Sequence, residues 1–316
     1  MLKTKLTIII VNYNTQYLLS RCLNAVADNL KQVSGKVIIV DNCSKDDSVN
    51  YIRQHFNDVK LITNDKNIGF GRANNQATAE IEGDYILLLN TDAFLSSNTI
   101  SDTLLYMEAN PKVGILGVKL TGEDGELQPS CRYFPTLTNV FFIKTGLDKL
   151  FPQVQLVDNK NWDSTHTQEC DWVPGCYYLI RKSVIDQIGL FDPRYFMYYE
   201  EVDHCLRAKK AGWKVLYYAD TAVIHLGGES AKSEGGLTSG KQLNALQTES
   251  ELLFFRKNHG IVKLLLHILL CLLADLYQVL KNLIQFRFAN IKNIAKNNVL
   301  LLNLIQKTHF GQLPTR

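Results

Sequence analysis

The chain has 316 residues, 46% hydrophobic and 21% charged, an ordinary globular composition long enough for one large domain or two smaller ones around a substantial core. Its net charge of +3 is unevenly spread: residues 1–251 hold 25 Lys and Arg against 30 Asp and Glu, whereas residues 252–316 hold nine against Asp275 alone. A basic tail that is also rich in Leu and Ile points to an anionic membrane surface rather than to nucleic acid.

In chain order, "LTIIIV" (6–11) reads as a strand, 17–33 as a helix, "KVIIVD" (36–41) as a strand, 46–56 as a helix and "VKLIT" (59–63) as a strand. A helix follows around 70–80, then the strand "DYILLL" (84–89). Continuous apolar strands separated by helices predict a parallel sheet covered on both faces. Ligands in such sheets bind beyond the carboxyl ends of the strands, and three strands here end in polar clusters: "NYN", "DNCSKDDS" and "NTDA". No glycine-rich phosphate loop follows the first strand, which excludes a GxGxxG dinucleotide site and a Walker A loop. Gly69 and Gly71 in "NIGFGRANN" could still let the backbone approach a phosphate at a helix start.

The second half is less regular. "GVKL" (117–120) and "YYLIR" (177–181) read as strands flanking a loop-rich region, 199–212 as a helix closed by Gly212, and "KVLYYA" (214–219) as a strand. The Gly- and Ser-rich stretch 225–241 is expected to be a mobile loop. Residues 1–245 are therefore expected to form the catalytic domain, and 246–316 a C-terminal amphipathic or hydrophobic helical region. Seven scattered cysteines without a CxxC pair suit reduced thiols. The first apolar run, Leu6–Val11, is too short for a signal peptide, so a cytoplasmic protein is expected.

The segments "IIIVNYN", "VDNCSKDDS", "NIGFGRANN", "LLLNTDA", "WVPGCYYLIRK", "FMYYEEVDHCLRAKKAGW" and "VIHLGG" together resemble, in order and spacing, the bacterial family 2 glycosyltransferases of the GT-A fold. The similarity covers roughly residues 5–230 and is nearest to the rhamnosyltransferase-like branch of O-antigen and surface polysaccharide synthesis. The resemblance implies inverting transfer from a nucleotide-diphospho-sugar, dTDP- or UDP-linked, with Mn2+ or Mg2+. Its metal-binding acidic motif falls on Asn90-Thr91-Asp92. Asn90 stands where the motif usually begins with Asp, so one anionic ligand is lost and Asp92 alone carries the charge. A hard cation requires oxygen ligands, which a strand-end carboxylate supplies. His225 is implied as a second ligand; a satisfied structural histidine is the alternative.

The resemblance also places Asp41 on the nucleobase, where a carboxylate accepts from the imide N–H; an Asx cap for "DNCSKDDS" is the other reading. Asn42 joins it. Asn12, Tyr13 and Asn14 shape or line the base pocket, and Arg72 either reaches a donor phosphate or is an exposed helix residue. Trp172 and Gly175 line the sugar pocket or are plain core and turn. Among Glu200, Glu201 and Asp203, the last pairs with Arg207 at i,i+4. The family places the general base at the second acidic position, Glu201, with Glu200 in reserve. Relatives carry Asp there, so this side chain is longer by one methylene.

"IVKLLLHILLCLLADLYQVL" (261–280) is long enough to span a bilayer but is interrupted by Lys263, His267 and Asp275, and 282–305 interleaves basic and apolar residues as an interfacial helix does. Surface docking near a polyprenyl-linked acceptor is expected, with an oligomerisation helix as the alternative. Two other functions compete. A sugar-phosphate nucleotidyltransferase needs a glycine-rich loop with a basic residue after strand one, which "VNYNTQYLL" lacks. A catalytically silent sugar-nucleotide-binding protein has no need of Asp92, Glu201 and His225 together.

Overall fold

The computed structural model describes residues 2–151, 154, 162–229 and 241–316. The chain begins with β1 (Leu2–Asn12), α1 (Gln16–Leu30), β2 (Val33–Asp41), α2 (Ser48–His55), β3 (Lys60–Thr63), α3 (Phe70–Gln76) and β4 (Tyr85–Asn90). Then come β5 (Ala93–Leu95), α4 (Thr99–Ala109), β6 (Val113–Thr121), β7 (Leu127–Gln128) and α5 (Leu137–Thr145). The second half holds β8 (Gln168–Glu169), β9 (Tyr177–Arg181), α6 (Lys182–Ile188), α7 (Glu200–Lys210), β10 (Lys214–His225), α8 (Lys241–Ile284) and α9 (Phe288–Lys307).

One sheet runs in the order β3-β2-β1-β4-β9-β6-β10-β5, with β7 beside β6 and β8 beside β10. β3, β2, β1 and β4 are mutually parallel, β9 enters antiparallel between β4 and β6, and β6 and β10 are again parallel. Strand side chains alternate between the two faces, so the apolar runs are divided between two cores. Ile9, Ile38, Val40, Ile86 and Leu88 face one cluster, which α7, α8 and α9 cover; Ile8, Ile10, Ile39, Leu87 and Leu89 face the other, covered by α1 and α4.

The expected helix over 17–33 ends at Leu30, and β2 begins at Val33 because Val33–Gly35 pair with β1. Gly35 is required there: a Cβ would lie 2.9 Å from the Leu6 carbonyl oxygen. The strand expected over 214–219 continues to His225, pairing first with β6 and then, past an irregularity between Tyr218 and Ala222, with β5 as well. The region between 120 and 177 contains a helix, α5, opened by a capping box in which Thr136 and Asn139 satisfy each other's backbone N–H.

Residues 246–259 pack into the same apolar cluster as the sheet, with Leu252, Leu253, Phe254 and Phe255 all buried. α8 breaks at Gly260 (φ 82°, ψ 175°), beyond which Val262, Leu265, Leu266, Leu269, Leu273, Leu276, Leu280 and Ile284 are exposed along the helix. The helix Asn244–Ile284 contains an 18-residue stretch apolar enough to cross a membrane, with a mean hydropathy of 2.0. Of the expected mobile loop, residues 230–240 lie outside the described residues.

Candidate active site

Parallel register brings the polar clusters to one edge. Asn12 of β1 stands opposite Asp41 of β2, Asp41 opposite Thr63 of β3, and Val11 opposite Asn90 of β4. A cleft of about 700 Å³ opens there. Of the residues expected in the site, it is lined by Tyr13, Asn42, Asn90, Thr91, Asp92, Trp172, Gly175, Glu200, Glu201 and His225.

Asn12 and Asp41 are buried behind the lining. Asn12 Nδ2 donates to Asp41 Oδ1 at 2.8 Å and to Ser44 Oγ at 3.0 Å, and the Ser44 backbone N–H donates to Asp41 Oδ2 at 2.9 Å. Asp41 therefore closes its own turn, with one donor on each oxygen. Asn14 adopts a left-handed conformation (φ 54°) and accepts from the Lys45 N–H through Oδ1 at 2.6 Å, a loop-shaping role. Asn42 holds the following loop, accepting from the Ile68 N–H at 3.1 Å and donating to Asn67 Oδ1 at 2.8 Å.

Two expectations are corrected by packing. Arg72 does not reach the cleft: its guanidinium donates to the Pro193 carbonyl at 2.7 Å and the Arg316 carbonyl at 2.9 Å. Gly69 (φ 90°) is the site of a close approach, but by the chain's own loop, since a Cβ would lie 2.3 Å from the Phe196 carbonyl oxygen. The glycine that sequence offered to a phosphate thus admits the segment leading to α7.

Asp92 follows β4, and the antiparallel pairing of β10 with β5 sets His225 opposite Ala93. His225 Nε2 lies 3.6 Å from Asp92 Oδ1. Burial holds the imidazole below its ordinary pKa and Arg132 adds to this, against the pull of Asp92. His225 Nδ1 lies 3.0 Å from Gln128 Oε1, an acceptor, which assigns the ring proton to Nδ1 and turns the Nε2 lone pair toward the carboxylate. A lone pair facing a carboxylate suits a shared cation. Among the described residues no group of three His, Cys, Asp or Glu converges, and the Asp92–His225 pair is what this edge of the cleft offers. Two protein donors fit a cation of the Mg2+ or Mn2+ kind, which completes its shell with substrate phosphates and water.

The carboxylates of Glu200 and Glu201 enter through strained backbone. Tyr198 (φ 69°) and Tyr199 (φ 66°) are consecutive left-handed residues, each costing on the order of 1–3 kcal/mol, and they turn the chain directly into α7. Tyr199 lies beside Glu251 of α8 and against the Phe254 ring, 5.3 Å away between centroids. Glu200 Oε2 and Glu201 Oε2 are buried without hydrogen-bond partners among the described residues. Burial pushes the Glu200 carboxyl well above the usual range, and the neighbouring Glu201 adds to this. Burial also raises Glu201, partly offset by backbone N–H groups and by Arg132. Carboxyls with a raised pKa and one unsatisfied oxygen each, in a cleft, are what a proton-accepting site requires.

Sequence reasoning missed several residues of this site. Arg132 lines the cleft with its guanidinium 4.7 Å above the Trp172 ring, Gln128 orients His225, and Lys144, Gln247 and Glu251 build the wall from α5 and α8. The Thr-x-x-Asn cap was a readable signal for α5; nothing local marks the others.

Residues 7–162 match the model of Glycosyl transferase family 2. The N-acetylglucosaminyl-diphospho-decaprenol L-rhamnosyltransferase of Mycobacterium tuberculosis is 29% identical over 208 residues, covering 60% of this chain and 66% of that protein, just under two thirds of its length. Rhamnosyltransferase WbbL of Escherichia coli is 28% identical over 228 residues, covering 69% of this chain and 82% of the relative. Among solved structures, the mannosyltransferase PcManGT from Pyrobaculum calidifontis in complex with GDP-Man and Mn2+ superposes with a TM-score of 0.59 at 13% identity, covering 98% and 88% of the two chains. S. aureus TarS 1–349 in complex with UDP gives a TM-score of 0.52 at 16% identity, covering 96% and 91%. At those identities the structures speak for the fold, and the family match and sequence relatives for the rest: the chain carries a family 2 glycosyltransferase domain over residues 7–162 in a GT-A fold and is rhamnosyltransferase-like in sequence.

Proposed function

We propose that this protein transfers a sugar, L-rhamnose from dTDP-rhamnose, to a saccharide or lipid-linked acceptor in cell-surface polysaccharide synthesis, with inversion at C1. The observation that carries the reading is the convergence in one cleft of the Asp92–His225 pair with the unsatisfied carboxyl oxygens of Glu200 and Glu201. Glu201 accepts the proton of the acceptor hydroxyl as that oxygen bonds to C1, the bond from C1 to the diphosphate breaks, and the nucleoside diphosphate leaves with the electron pair. Glu200 is the reserve base. A divalent cation, Mn2+ or Mg2+, held by Asp92 and His225 would neutralise charge growing on the departing diphosphate.

Around that reaction Tyr13, Asn42 and the Asn12–Asp41 turn receive the base, Asn90 and Thr91 adjoin the donor, and Trp172 and Gly175 face the sugar. The exposed apolar face of α8 beyond Gly260, with the basic residues of the tail, supports peripheral attachment to the inner face of the cell membrane; a homo-oligomer contact is the competing use of that face. A panel of dTDP-, UDP- and GDP-sugars tested by thermal shift with Mn2+ examines the reading, because a donor that binds the native state raises its stability. dTDP-rhamnose is expected to raise Tm in a metal-dependent way. Formation of a nucleotide-sugar from a sugar phosphate and a nucleoside triphosphate would replace the reading with a nucleotidyltransferase.

A further inference from the structure

A second cavity of about 240 Å³ lies between α5, α8 and α9. It shares Lys144, Gln247 and Glu251 with the main cleft, whose lining also contains Glu200 and Glu201, so the two spaces adjoin on shared walls. Its neutral polar lining consists of the amides of Asn244, Gln247, Asn297 and Asn298 and the Thr248 hydroxyl. Leu252, Ile268 and Leu300 supply apolar surface. Asn298 Oδ1 is buried with no hydrogen-bond partner among the described residues, an acceptor left for a ligand's donor.

Charge decides the class of ligand. Lys144 is paired with Asp275 at 3.5 Å, and Glu251 remains as a second carboxylate. His267, 3.4 Å from Glu251 and stacked on Phe255 at 4.0 Å between centroids, is held below its ordinary pKa by burial and is neutral. A phosphate or uronate would meet net negative charge. A neutral sugar would not: carboxylates and amide oxygens accept from its hydroxyls, amide N–H groups donate, and the leucines face its C–H surface.

We infer that this cavity is an acceptor subsite, binding a neutral pyranose of the acceptor next to the carboxylates of the cleft. The inference rests on the glycosyltransferase reading and deepens it. It assigns acceptor selection to the C-terminal helices and makes Thr248 and Asn298 specificity residues.

The test uses the full chain saturated with whichever of dTDP or UDP binds it in the presence of Mn2+, titrated with methyl α-L-rhamnoside, methyl N-acetyl-β-D-glucosaminide and methyl β-D-glucuronide by saturation-transfer NMR. At least one neutral glycoside is expected to bind, and the glucuronide is not. Asn298→Leu and Thr248→Leu should each weaken the neutral glycoside about fivefold or more, the loss of one hydrogen bond, while affinity for that nucleotide stays within about twofold. Thr248→Ser should restore binding, which separates recognition from a folding defect. Neutral glycosides that bind both Leu variants like the wild type, that do not bind at all, or that bind no better than the glucuronide overturn the subsite. Failure of the wild type to bind any nucleotide or nucleotide-sugar strikes the glycosyltransferase reading instead.

Discussion

Lys257 of α8 places its ammonium 2.7 Å from the carboxylate of Asp203, which is wholly buried in α7 three residues past Glu200. Asn258 Nδ2 (2.9 Å) and Arg207 Nε (2.8 Å) donate to the same carboxylate, and Lys257 also meets Asp192 at 2.7 Å. Burial alone would raise Asp203, but these donors outweigh it and hold the group below the usual carboxylate range. The tail helix is thereby tied to the helix that carries the acidic cluster.

Lys257→Met should accordingly destabilise the protein by about 3–5 kcal/mol, the effect of leaving a buried charge without its partner. Thermal denaturation checks this, and a variant as stable as wild type would show that Arg207 and Asn258 suffice. The pH sign follows from the depressed pKa. The stabilisation is present above the unfolded aspartate value of about 3.9 and is lost as pH falls through the folded value, so the gap between variant and wild type should close in acid.

Asp92→Ala should leave the fold intact, because the side chain sits at a strand edge and contributes little to the core. It should abolish the metal-dependent rise in Tm produced by a nucleotide-sugar. Gln128→Leu should weaken the same response without removing either donor, on the order of 10-fold in metal affinity, since it frees the ring proton that fixes the His225 tautomer. A metal response unchanged in Asp92→Ala would end the assignment of that residue.

Glu201→Gln should retain donor binding and lose transfer by at least about 10²-fold, the usual contribution of a positioned base. If Glu200→Gln is the inactive variant and Glu201→Gln is active, the two roles are exchanged. Because both carboxyls are raised, kcat/KM should climb with pH through the raised value. Their burial carries the matching stability sign: favourable below the unfolded glutamate value of about 4.3 and lost as pH rises through the folded value. Glu200→Gln should therefore raise Tm near about pH 8 and change it little near about pH 4.

The exposed face of α8 can be tested without touching its buried half. Leu266→Glu, Leu273→Glu and Leu280→Glu alter residues that are 45%, 47% and 54% exposed. Combined, they should abolish flotation with anionic vesicles while nucleotide affinity is unchanged. In the wild type, salt should weaken the vesicle interaction without removing it, since each basic residue near the surface contributes about 1 kcal/mol by a screened attraction and the apolar face adds an unscreened one. A wild type that ignores vesicles, with a triple variant that falls from oligomer to monomer in light scattering, would make the face an assembly contact.

Local pattern was enough to predict the parallel half of the sheet and the edge where Asn12, Asp41, Asn90 and Asp92 gather, because strand periodicity and turn chemistry are properties of neighbouring residues. The motif order was enough for the family and the fold. Tertiary structure alone decided what depends on distant partners. Sequence left Arg72 open between a donor phosphate and an exposed helix position, and Gly69 open to a phosphate; the folded chain commits Arg72 to two backbone carbonyls and Gly69 to the close passage of Phe196. Sequence set the tail apart from the catalytic residues, yet Glu251, Phe254 and Lys257 support Tyr199 and Asp203, partners some fifty positions away whose energies arise only once burial has excluded water. The unpaired Oε2 atoms of Glu200 and Glu201 are of the same kind: the family resemblance put the two residues forward as base and reserve, but the local sequence shows only an acidic helix start, and it is enclosure by α5, α8 and the β10 edge that raises their pKa.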